Sequence, residues 1–146
     1  MEDNRTTKDL FLETLTKIGC QYKIDEEKDN RVLFAYQGEE FMADIVNNSY
    51  YVHLWDCFWD YVALNDLDDV ARLRKAINTT NFNTHVTTVF SVHEDVKNIF
   101  VHSKKSIPFM ASIPQIEEYL RVELDEFFHV HRVLQTEMYR LREKGA

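Results

Sequence analysis

The densest run of chemically capable side chains is Tyr50-Tyr51-Val52-His53-Leu54-Trp55-Asp56-Cys57-Phe58-Trp59-Asp60-Tyr61, where six of twelve residues are aromatic. Read as a strand, it puts Tyr51, His53, Trp55, Cys57 and Trp59 on one face and Tyr50, Val52 and Leu54 on the other. One face belongs to the core. The opposite face then offers two tryptophans and a tyrosine to a partner or ligand, unless the last helix covers it as ordinary core. Exposed aromatic patches mark interaction sites, so Tyr51, Trp55, Phe58 and Trp59 are the candidate partner-binding residues. His53 with Cys57 suggests an activated thiol. Four strand residues span about 13 Å, too far for a hydrogen bond between the two. An aromatic cavity near His53 and Asp56, serving a small-molecule sensor or enzyme, is the alternative use of the segment.

Other ligating patterns are incomplete. Glu126-Phe127-Phe128-His129 has the Glu-x-x-His spacing of di-iron bundles, which require a second copy and two further helical glutamates. The sequence has no second copy. His129 and His131 would point about 160° apart on a helix, since each residue turns about 100°. His85, His93 and His102 lie on or beside a hairpin, where pairing can bring two together. Asp25-x-Glu27-x-Asp29 begins like a calcium loop, but Asn30 replaces the required glycine and Tyr36 the closing glutamate. Gly19, Gly38 and Gly145 lie in no glycine-rich loop before a helix, so neither a P-loop nor a dinucleotide fingerprint is present. Cys20 and Cys57, 37 positions apart, form neither a zinc spacing nor a disulfide framework. They read as buried or half-buried thiols in a reducing cytoplasm. No metal, cofactor or catalytic residue is expected.

The elements that must carry these residues follow from periodicity. Phe11, Leu12, Leu15 and Ile18 predict a helix over 7–18, closed by Gly19. After the short segment 21–24 and a polar turn at 25–30 come strands at 32–36, 41–46 and 50–57, an antiparallel meander with turns at 38–39 and 47–49. A second helix begins at Asn65 or Asp66, buries Leu67, Val70, Leu73 and Ile77, and closes at 78–81. A hairpin pairs Val86, Thr88, Phe90 and Val92 with Ile99, Val101 and Ser103. Ser112-Ile113-Pro114-Gln115 reads as a capping box with proline in the first turn. From there Ile116, Leu120, Leu124, Phe127, His131, Leu134, Met138 and Leu141 mark one long helix. At about 30 residues it runs roughly 45 Å, so part of it must overhang, bend or pack on a second copy. Phe127, Leu134, Met138 and Leu141 are the candidate dimer contacts, if the seam is not simply the core face of a monomer.

Composition bounds the rest. The 146 residues carry 17 basic and 25 acidic side chains, a formal charge of −8, with 45% hydrophobic residues. That length fits a single domain spanning 1–146, large enough to bury a core without disulfide or metal staples. The acidic balance, with no basic stripe, argues against nucleic acid. No apolar run approaches the roughly 18 residues of a membrane span, and the polar start Met1-Glu2-Asp3-Asn4-Arg5 has no signal-peptide core behind it. A cytoplasmic location is expected.

The element order α-βββ(β)-α-ββ-α resembles the type III secretion chaperone-like fold. More closely, it resembles the YbjN-type family of bacterial sensory-transduction regulators. The resembling residues run from Arg72-Leu73-Arg74-Lys75-Ala76-Ile77-Asn78-Thr79-Thr80-Asn81 through Thr88-Val89-Phe90 into the Pro114 helix. The resemblance implies an α+β domain with the long C-terminal helix on an antiparallel sheet. It also implies a small, acidic, non-enzymatic binding protein. Secretion chaperones of this fold are typically homodimers that hold an extended partner segment beside the sheet. No catalytic residue carries over, and nothing in the chain marks its partner as a secreted effector. The expectation is a chaperone-like or regulatory adaptor for a protein or peptide, with a second copy of the chain as a further partner. A purely structural dimer is the remaining alternative.

Overall fold

The computed structural model describes residues 5–46 and 48–145. Asn47 of the expected 47–49 turn and the polar start at 1–4 lie outside them. The order is α1 (Thr7–Lys17), β1 (Tyr22–Ile24), β2 (Arg31–Tyr36), β3 (Glu39–Val46), β4 (Tyr51–Ala63), α2 (Leu67–Asn83), β5 (Thr87–His93), β6 (Asn98–Pro108) and α3 (Ile116–Glu143). The fold is α+β with an antiparallel sheet, as expected, and the strands lie in the order β1-β2-β3-β4-β6-β5. Two compact units divide the chain, Met1–Trp55 with Lys105–Asp125 and Asp56–Lys104 with Glu126–Ala146. No helix among the described residues is long and apolar enough to cross a membrane.

In the first unit, the Thr6 hydroxyl oxygen accepts the Asp9 N–H at 3.0 Å and starts α1. Gly19, at φ 84°, supplies the left-handed residue that ends it. Strand alternation turns Val32, Phe34, Tyr36, Phe41, Ala43, Ile45, Val52 and Leu54 inward, and all are buried. Phe11 of α1 meets Phe34 and Phe109 edge-on at centroid distances of 5.8 and 5.3 Å. The Tyr36 hydroxyl donates to Asp125 of α3 at 2.8 Å. Burial together with that carboxylate pushes its phenol up to about 12.

In the second unit, Val62, Leu73, Ala76, Ile77, Ile99, Val101, Leu134, Met138 and Leu141 form one core, with Trp59, Leu64 and Val70 packed against it. Asp66 caps α2 by accepting the Asp69 N–H. Arg142 pairs with Asp69 at 2.8 Å and ties the end of α3 to the first turn of α2. That guanidinium holds the Asp69 carboxyl below the usual carboxylate range, with Arg72 assisting.

Several expectations are corrected. Helix α2 does not close at 78–81 but continues to Asn83. Its polar residues are satisfied inside the helix, Thr80 donating to the Ala76 carbonyl and Asn83 to that of Thr79. Leu67, expected in the buried stripe, is 76% exposed, because it opens the helix before the stripe meets the core. Phe90 and Val92 are exposed on the edge strand β5. Pro114 precedes α3 rather than entering its first turn, and Gln115 at φ 51° stands immediately before the helix. Strand β4 runs past Cys57 to Ala63. Buried positions extend along α3 from Leu120 to Leu141, so its seam does not overhang.

Leu134→Ala is expected to cost about 2–5 kcal/mol through lost burial and the cavity left behind. Leu67→Ala, at an exposed site, is expected to stay within about 0.5 kcal/mol. Urea unfolding of both variants checks the difference.

Candidate binding surface

Strand β4 alternates inward at Val52, Leu54 and Asp56, all with 0% exposure. The alternation breaks at Phe58, whose φ of 57° lies in the left-handed region. Such a conformation in a non-glycine residue costs on the order of 1 kcal/mol and persists only when neighbours hold it. Here the holder is His102. The Phe58 N–H donates to His102 Nδ1 at 2.9 Å.

That bond settles the imidazole. A backbone N–H can only donate, so Nδ1 is the acceptor and the neutral ring carries its proton on Nε2. Nε2 lies 2.7 Å from Ser91 Oγ, to which it donates. Ser91 Oγ lies 2.8 Å from His93 Nε2, which is free to accept the hydroxyl proton. The backbone of β4 is thereby linked through two histidines to β5. Burial, then His93, pull the His102 pKa below its ordinary value, while Asp56 opposes them. His102 is only 8% exposed.

Around this relay the rings converge. Phe58 meets His102 edge-on at 4.5 Å, Phe100 at 5.1 Å and His93 at 5.6 Å. Tyr61 approaches Phe100 at 6.1 Å. Alternation explains the grouping: Ile99, Val101 and Ser103 face the core, so Phe100 and His102 face outward. Phe58 and Tyr61 remain 57% and 61% exposed. The result is an aromatic and histidine patch on the sheet face opposite the unit's core.

Trp59, just after the left-handed Phe58, also departs from the alternation. The sequence reading placed Trp59 with Tyr51 and Trp55; it instead packs against the second unit's core. Its ring stacks on His131 at 4.0 Å, and its Nε1–H donates to Ser103 at 3.0 Å. Ser103 in turn meets Thr88 at 2.9 Å. The Asn81 side chain pairs with both the N–H and the carbonyl of Thr88, closing that rung of the edge strand. Asp56, fully buried, bonds His131 Nε2 at 2.7 Å. This Asp–His pair orients a ring within a packed core, and Trp59 covers one face of it.

In the first unit, Tyr51 and Trp55 lie on the outer face of β4, opposite Val46 and Met42 of β3. Tyr51 is exposed and Trp55 half-buried. His53 shares that face and bonds Ser106 of β6. Asp56 has the opposite strand parity and is fully buried. A cleft of about 310 Å³ lies elsewhere, lined among others by Arg5, Thr6, Leu10, Tyr50 and Phe109. The four expected dimer contacts, Phe127, Leu134, Met138 and Leu141, are buried within the chain itself at 0–6% exposure. Assembly through them would require the core to open. Cys20 and Cys57 form no disulfide, and burial pushes the Cys20 thiol up.

Sequence reasoning found Phe58 and missed its neighbours Tyr61, His93, Phe100 and His102 as a group. The hairpin alternation already put Phe100 and His102 on one face. What it lacked was the pairing of β6 beside β4.

No family model and no curated protein matches the chain. Two solved structures do. YbjN, a candidate transcription regulator from E. coli, aligns with a TM-score of 0.60 at 12% identity, over 91% of this chain and 93% of that one. An uncharacterized protein from Methanothermobacter thermautotrophicus aligns with a TM-score of 0.56 at 12% identity, over 94% and 98%. The chain therefore has a YbjN-like fold, as its element order implied.

Two measurements test the site. Trp59→Ala is expected to cost about 3 kcal/mol, the scale of a lost core aromatic. Phe58→Gly should be neutral or stabilising by up to about 1 kcal/mol, because glycine relieves the left-handed strain. Denaturant midpoints of the two variants separate these outcomes. The lowered His102 pKa means the native state binds its proton less readily than the unfolded chain. Its contribution is complete above the ordinary value of about 6.5 and is lost as pH falls towards the lower native value. Unfolding free energies across that window should show a slope that His102→Asn reduces.

Proposed function

We propose that the chain is a non-enzymatic, cytoplasmic binding module that holds a protein or peptide segment against its outer aromatic surface. The observation that carries this is the exposure of Phe58 and Tyr61 on a sheet face where Phe100, His93 and His102 form a rigid floor. Isolated exposed aromatics are common; a contiguous cluster with its backbone locked is an interaction surface. Tyr51 and Trp55 are separate candidate contacts on the first unit. Trp59 supports the surface from the core side and does not touch the partner. The fold-level likeness to a candidate regulator agrees with a binding role.

The partner chemistry follows from the charge. A formal −8 favours a segment with Lys or Arg flanking apolar anchors. The acidic excess falls mainly on the first unit. Such capture weakens with salt, since exposed charges are screened beyond about 10 Å at 0.1 M.

The test is affinity capture by the tagged chain, with a Phe58→Gly/Tyr61→Ser variant and a Tyr139→Ser control at another exposed tyrosine. Loss of the captured protein in the double variant alone, with circular dichroism unchanged, supports the reading. Equal capture by all three moves the function away from this patch. Native mass spectrometry that finds a co-purified small molecule would favour the sensor alternative.

A further inference from the structure

The aromatic patch depends on a backbone conformation that one titratable ring maintains. Phe58 is held at φ 57° by a hydrogen bond whose acceptor is His102 Nδ1, 2.9 Å away. Nothing about that acceptor is interchangeable with the protonated ring. Imidazolium carries a hydrogen on both nitrogens, so protonation places an N–H directly against the Phe58 N–H. The bond then becomes a donor–donor clash at close range.

We propose that His102 is a proton-operated latch on the Phe58 bulge, holding the Phe58 ring on the outer surface when neutral and releasing it when protonated. Protonation adds one hydrogen at Nδ1 and breaks one hydrogen bond, Phe58 N–H to Nδ1. The Nε2–H bond to Ser91 survives, so the ring stays tethered to β5 while its grip on β4 is lost. Left without its partner, the left-handed Phe58 relaxes towards the extended conformation that β4 otherwise follows. Relaxation carries the ring away from Phe100 and His93.

The groups facing the latch set its working range. On β4 they are Asp56, whose carboxylate favours the charged ring, and the Phe58 amide, which opposes it. On β5 they are Ser91, neutral, and His93, which disfavours positive charge on His102. On β6, Lys104 shares the outward parity of His102 and adds positive charge on that side. Asp56 is also bonded to His131 of α3, which draws its carboxylate towards the core. Burial and His93 therefore outweigh one carboxylate, and the latch opens below the ordinary histidine value of about 6.5.

The same tautomer separates this reading from a metal site. A metal at Nε2 of His102 would require the lone pair that Nε2 uses for its proton while Nδ1 is engaged. His93 and His102 thus converge on Ser91 as a hydrogen-bond relay.

The effect on partner capture rests on the binding reading above; the latch itself does not. Nuclear magnetic resonance of the nitrogen-15-labelled full chain tests it between about pH 7.5 and about pH 5, bracketing the ordinary histidine value. The expected result has three parts. His102 begins as the Nε2–H tautomer. The Phe58 amide resonance moves with the midpoint of the His102 ring. Phe58 amide protection falls about tenfold beyond the intrinsic pH effect, the scale of one lost hydrogen bond. In His102→Asn, where the carboxamide oxygen replaces Nδ1 as a non-titrating acceptor, the Phe58 amide should stay in place throughout. A His102 ring that starts as the Nδ1–H tautomer, or a Phe58 amide that ignores its titration in the parent chain, overturns the latch. If a captured partner is known, its release on acidification by the parent and retention by His102→Asn extends the latch to binding. Retention by both, with the resonance result intact, would overturn only the placement of the partner on Phe58.

Discussion

A strand keeps its two faces distinct only while every residue advances by half a period, and β4 carries Phe58 in a conformation that breaks this rule. Everything distinctive about the second unit follows from that single amide and the histidine nitrogen that accepts it. Before the break, Asp56 points into the core and binds His131. After it, Trp59 enters the core and stacks on the same imidazole. A regular strand would deliver these two side chains to opposite faces. The bulge brings both to one histidine on α3 and leaves the Phe58 ring outside.

The strain has to be balanced by neighbours, and the sequence supplies them at fixed offsets. Ser91 and His93 lie two apart on β5, so both hydroxyl and ring emerge on the outer face. His102 and Phe100 lie two apart on β6 and meet them there. Beside Trp59 a chain of polar groups is paired on the core side: Trp59 bonds Ser103, Ser103 meets Thr88, and Asn81 pairs with both backbone groups of Thr88. Polar side chains near a core are tolerated when each donor finds an acceptor. The arrangement also shields one rung of the edge strand β5.

The helices use their apolar stripes on the inner side of the sheet, and this limits what the remaining surface can do. The seam of α3, which has the spacing of a helix-pairing surface, is consumed by the chain's own core. The aromatic side of β4 to β6 in the second unit remains uncovered, with Phe58 and Tyr61 exposed. A likeness of fold to YbjN at 12% identity fits this division, since the layers are shared while surface residues are free to differ.

Periodicity in the chain determined the α+β class, the element order, the buried stripe of α3 and the inward residues of β2 and β3. Those depend on local spacing, and local spacing is visible in one dimension. Boundaries were less legible where side chains changed the local rule. Back-bonding by Thr80 and Asn83 carried α2 through residues that read as breakers, and Leu67 fell just outside the stripe. The aromatic run from 50 to 61 announced itself by composition, yet which of its rings face outward was decided by tertiary structure alone. Strict alternation grouped Trp59 with Tyr51 and Trp55 and did not bring His102 next to Phe58. The assignment reversed because a strand bulge needs a partner to hold it, and that partner lies 44 residues away, on a strand whose place beside β4 no local pattern records.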